Sequence, residues 1–75
     1  MESYANLGGD SGVVAYELGL DSITVQFSDG AIYAYTNDSA GASIITRMKS
    51  LAREGQGLNA FINMRARKLY SRKLR

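Results

Sequence analysis

The hydrophobic period of this chain changes once, near Asp38. Ahead of that point lie three short runs, VVAYEL (Val13 to Leu18), ITVQFS (Ile23 to Ser28) and AIYAYT (Ala31 to Thr36). Their β-branched and aromatic content, separated by turn residues, reads as strands. Beyond it, Ile44, Ile45, Met48, Leu51 and Ala52 recur at the spacing of one apolar helical stripe. Asp38 or Ser39 is placed to cap that helix and Gly55 to stop it. After the Gly55-Gln56-Gly57 link, Leu58, Phe61 and Ile62 return to helical spacing. The expected fold class is α+β: a three-stranded antiparallel β-meander followed by one main α-helix and a shorter C-terminal helix on its apolar face.

Register follows from the turns. Asp29-Gly30 is a strong hairpin signal, because a two-residue type I′ loop needs positive φ at both positions. With that loop Phe27 faces Ile32, Val25 faces Ala34 and Thr24 faces Tyr35. Across the Gly19 to Ser22 connection, Leu18 meets Ile23, Tyr16 meets Val25 and Val14 meets Phe27. One face then collects Val14, Tyr16, Leu18, Ile23, Val25, Phe27, Ile32 and Ala34, and Tyr33 and Tyr35 emerge on the opposite, polar face about 7 Å apart, two residues at ~3.3 Å each. A bulge at the turn reverses this assignment by shifting the pairing one residue.

A chain of 75 residues is one domain with a thin core. Residues 1–11 are polar, glycine-rich and without period, a loose lead; 12–70 form the domain; 71–75 form a basic extension expected to fray. Without cysteine or histidine, disulfide scaffolding and the usual zinc sites are excluded by ligand chemistry, and a reducing, cytoplasmic setting is the default. No apolar run reaches the ~18–20 residues a membrane helix needs.

Catalytic readings find little support. The GGDSG string at 8–12 resembles a serine-hydrolase fragment only until one asks for the histidine base, which is missing. Gly55-Gln56-Gly57 follows no strand and joins helices, so it is not a phosphate cradle. The carboxylates stand singly at turns, with no metal box. No cofactor is implied.

Charge is more informative. Six acidic residues and no lysine or arginine precede Arg47, whereas from Arg47 onward nine cations oppose Glu54 alone. Such asymmetry favours a polyanionic partner; the alternative is neutralisation of one half by the other, or a solvated basic helix end. Aromatic rings that stack bases beside cations that neutralise phosphates are the usual means of holding single-stranded nucleic acid. Tyr33 and Tyr35 supply the first element, and Arg65, Arg67, Lys68, Arg72 and Lys73, with Arg75 beyond, the second. The opposing reading buries the tyrosines under the C-terminal segment. Asn59 and Asn63, spaced i, i+4, read as caps or backbone anchors.

Tyr33-Ala34-Tyr35 after Phe27-Ser28-Asp29-Gly30, then Gly57-Leu58-Asn59-Ala60-Phe61-Ile62-Asn63, Arg67-Lys68 and Tyr70, resemble in that order the KTSC domain, a unit found at the C-terminus of some lysyl-tRNA synthetases and as small stand-alone proteins of bacteria and phages. The likeness runs from Ser11 to about Tyr70; the basic extension from Ser71 is additional, and the proline common after Tyr-x-Tyr is absent. It implies a small domain with no established activity, for which RNA binding is suggested by the synthetase fusion. The combined expectation is a non-enzymatic module for RNA or single strands, the alternative being a protein-interaction or homodimerisation module using the tyrosine face or free edge strands.

Overall fold

A computed structural model describes residues 1–7 and 12–75; most of the GGDSG string lies outside the described residues. In chain order the elements are β1 (Glu2–Ser3), β2 (Val13–Leu18), β3 (Ser22–Phe27), β4 (Ile32–Thr36), α1 (Asn37–Ala40), α2 (Ala42–Glu54), α3 (Leu58–Phe61), a π-helical segment Ile62–Ala66 and β5 (Arg72–Lys73). The strands form one antiparallel sheet in the order β1-β2-β3-β4-β5. The class is α+β, with the expected meander at its centre and a two-residue strand added at each edge.

The β3–β4 register differs from the sequence expectation by one residue. Val25 pairs with Tyr33 and Ile23 with Tyr35, because the loop holds three residues, Ser28-Asp29-Gly30, rather than two. The Phe27 N–H donates to the Ala31 carbonyl at 2.8 Å and the Gly30 N–H to the Phe27 carbonyl at 2.9 Å. The Ala31 N–H donates to the Asp29 carboxylate at 2.9 Å, and Gly30 takes the positive φ, 94°, that such a loop requires. The extra residue turns Tyr33 and Tyr35 into the core face and Ile32 and Ala34 out of it. Burial favours this outcome: a tyrosine ring removes roughly 150–250 Å² from water, far more than alanine offers.

The β2–β3 pairing keeps Leu18 opposite Ile23 and Tyr16 opposite Val25, but a bulge between Val13 and Ala15 sets Val13, not Val14, against Phe27. Val13 is fully buried and Val14 is exposed. An inserted residue exchanges the two faces beyond it.

Thr36, not Asp38 or Ser39, caps the first helical turn. Its hydroxyl accepts from the Ser39 N–H at 3.1 Å and the Ser39 hydroxyl accepts from the Thr36 N–H at 3.0 Å, a reciprocal box. Gly41, at φ 94°, separates α1 from α2. The α2 stripe Ile45, Met48, Leu51 and Ala52 is buried, and Gly55 ends the helix in the left-handed conformation. This stripe packs with Leu58, Ile62 and the inward residues of the sheet into one core. The Lys49 ammonium donates to the Gly19 and Leu20 carbonyls at 2.8 and 2.9 Å, holding the β2–β3 turn against α2.

Both chain ends are more ordered than their composition suggests. Tyr4 is only 5% exposed and belongs to the core, and the Leu7 N–H donates to the Gly55 carbonyl at 2.7 Å. At the other end, residues 71–75 run beside β4, with Lys73 opposite Tyr33 and Arg72 opposite Ala34. The edges expected to be free are thus occupied.

Candidate functional site

β4 presents Tyr33 and Tyr35 to the helical layer, where the segment after α3 meets them. Ile62 and Ala66 of that segment are buried, so their chain neighbours Asn63 and Arg67, also i, i+4, share the adjoining stripe. That stripe and the β3–β4 turn enclose a cleft of about 480 Å³, lined among others by Phe27, Tyr33, Asn63, Arg67 and Tyr70. Such a volume falls within the range of small-ligand sites. The wall is a π-helical turn, a rare geometry frequently found at functional sites.

Four aromatic rings line the cleft. Phe27 meets Tyr33 edge-on at 5.8 Å between centroids; Tyr70 lies 4.8 Å from Tyr33, tilted by 53°, and 6.4 Å from Tyr35 in a T-shaped contact. The Lys73 ammonium sits 5.8 Å from the Tyr33 ring centroid, within cation–π range. Tyr35 is 1% exposed. Burial, reinforced by neighbouring Tyr33 and Tyr70, pushes its phenol up to about 12, so it stays protonated. Tyr70 retains 40% of its surface, which makes it the most accessible ring of the group.

The predicted site residues separate into three sets. Tyr33, Tyr35 and Arg67 come together at the cleft, joined by Lys73 on the same side of the sheet. Arg65 and Lys68 are exposed nearby, outside the cleft lining. Arg72 pairs with Ala34 and so points to the opposite face. The expected open platform of two outward tyrosines is corrected: Tyr35 forms the floor and Tyr33 is half-buried. The residues missed are Phe27, Asn63 and Tyr70. The signal for Tyr70 is its position as an aromatic inside a basic run, where it shields rings that the cations cannot.

Among the described residues no group of His, Cys, Asp and Glu is placed to hold a metal ion, and no helix is long and apolar enough to cross a membrane. Comparisons with protein-family models, with curated proteins and with solved structures found no match for this chain.

Proposed function

We propose that this chain is a small, non-enzymatic module of the KTSC type that binds RNA or single-stranded nucleic acid, with an unstacked base received at the mouth of the aromatic cleft. The supporting observation is the convergence of the accessible Tyr70 ring with Arg67, Asn63 and the Lys73 ammonium around one concavity. A base stacks on the free side of Tyr70, its edge toward the Asn63 amide, while Arg67 and Lys73 neutralise the flanking phosphates. Arg65 and Lys68, exposed outside the cleft lining, add positive potential around the site. Each stacked base contributes roughly 1–3 kcal/mol, and phosphate contacts make affinity fall steeply with salt. Tyr35 carries the ring stack from beneath and makes no contact with ligand. The cysteine-free sequence suits a reducing, cytoplasmic setting.

The test is a titration of the protein with generic RNA and DNA oligonucleotides at several salt concentrations. Tyr70→Ala weakens binding about 5- to 150-fold, the equivalent of one stacked base, and Arg67→Ala lowers both affinity and salt dependence. Tyr35→Phe leaves affinity unchanged. Undetectable binding at low salt removes the proposal.

A further inference from the structure

Among the described residues the helices cover one side of the sheet. Core residues come from its inner face, and Ala15, Ile32 and Ala34, which alternate outward, do not join the core cluster. Two cross-strand rows organise the outer face. The first reads Glu17, Thr24, Ala34, Arg72 from β2 to β5, each residue paired with the next. The second reads Ser3, Ala15, Gln26, Ile32, and Leu74 extends it through its N–H to the Ile32 carbonyl at 2.7 Å. Leu74 and the bulged Val14 are 50% and 43% exposed, large for apolar side chains. One row is therefore small and uncharged at its centre with opposite charges at its two ends; the other is mainly apolar.

This pattern is complementary to itself. We propose that the outer face is a homodimer surface, on which two copies stack about a two-fold axis parallel to the strands and midway between β3 and β4. That rotation exchanges β2 with β5, so Glu17 of each copy stands opposite Arg72 of the other. It returns each row to its own level, so the apolar row meets the apolar row. A rotation about the perpendicular in-plane axis leaves each Glu17 on the edge of its partner's Glu17 and loses the match. Closed two-fold contacts require such self-complementarity, and aligned packing is a normal mode for sheets.

The face is small. The overlapping strands β2 to β5, at ~4.8 Å spacing, with only β2, β3 and β4 about 17–20 Å long and β1 outside the overlap, present a few hundred Å² per copy, below the ~800 Å² per partner of a standard interface. The dimer is accordingly transient, formed at high protein concentration. The surface lies opposite the aromatic cleft and does not depend on the binding reading above; on this assignment Arg72 serves the dimer.

The experiment is sedimentation equilibrium of the whole chain at low salt, paired with concentration-dependent amide shifts. Reversible dimerisation is expected, with shifts at Thr24, Gln26 and Ala34. Glu17→Arg and Arg72→Glu singly weaken it about tenfold or more through like-charge contact, and the double charge swap restores it. Ala34→Arg, outward on β4, abolishes it; Thr24→Lys does the same at the neighbouring site, and circular dichroism confirms that both variants are folded. A monomer at every concentration, a dimer that survives Ala34→Arg in folded protein, shifts confined to the cleft or the β5 edge, or failure of the double swap to recover affinity each overturns the proposal.

Discussion

The N-terminal arm holds its edge of the sheet through a buried side chain, whereas the C-terminal arm holds the other edge through its backbone and a ring left 40% exposed. Tyr4 enters the core, and its hydroxyl accepts the Leu58 N–H at 3.2 Å. That donor is one of the orphan groups of α3, whose N-cap Gly57 has no side chain to satisfy it. Glu2 accepts a hydrogen bond from the Tyr16 phenol, which together with burial raises that group's pKa. The C-terminal arm, by contrast, places residues 71–75 entirely at the surface. Equal strand length conceals unequal anchoring: one arm is part of the core, the other lies on the surface beside the cleft.

Tyr4→Ala gives the largest expected effect. Emptying an aromatic core site costs about 3–5 kcal/mol, a large share of the stability of a domain this small, and here it also strands the α3 donor. Tyr4→Phe keeps the ring and loses only the acceptor, for about 1–3 kcal/mol. Urea unfolding followed by circular dichroism measures both. A Tyr4→Ala loss below about 1 kcal/mol would remove the distinction between the arms.

An intermediate effect comes from pH. Tyr35 has its folded-state pKa raised to about 12, above an unfolded value near 10. The folded state therefore keeps a proton that the unfolded chain releases. Stability from this group is fully present below pH ~10 and is lost as pH climbs toward about 12, a total of about 2–3 kcal/mol. Tyr35→Phe abolishes that component. Because the Tyr70 ring packs on Tyr35, Tyr70→Ala moves the midpoint back toward 10. Urea midpoints compared at pH 9 and pH 11, with phenolate absorbance for the midpoint, check both; a wild-type curve parallel to that of Tyr35→Phe contradicts the burial argument.

The same contrast explains what could be read from the sequence. Elements with a clear period were recoverable: the three central strands, the α2 stripe and the Gly55 stop follow from local pattern. Parity was not, because it depends on single inserted residues. Asp29-Gly30 marks a turn but does not say whether Ser28 belongs to it, and nothing local announces the bulge at Val14. Ser28 decides which face Tyr33, Tyr35, Ile32 and Ala34 occupy, and the bulge decides which of Val13 and Val14 enters the core. The arms failed for a different reason, since their order is set by partners far along the chain, Leu58 for Tyr4 and β4 for residues 71–75. Of the candidate site, Tyr33, Arg67 and Lys73 were recoverable as residue types, but their meeting point with Tyr70 and Asn63 was not, because it required the correct parity of β4.

The smallest expected effect is that of removing residues 71–75. The arm contributes backbone bonds from Ser71 to Ala34 and between Ile32 and both Leu74 and Arg75, together with the Lys73 contact over Tyr33. Each exposed bond is worth about 0.5–1.5 kcal/mol net and the cation–π contact about 0.5–1 kcal/mol. Against them stands the freedom regained by five residues, about 1–2 kcal/mol of backbone entropy each, a sum of similar size. The terms largely offset, so truncation shifts stability by less than about 2 kcal/mol in urea unfolding. What changes is the edge: β4 loses its neighbour and offers unpaired N–H and C=O groups, which promotes strand-to-strand association visible by light scattering. A loss above about 2 kcal/mol without association would show that the C-terminal strand is as deeply anchored as Tyr4, and the two arms would have to be regarded as equivalent parts of one sheet.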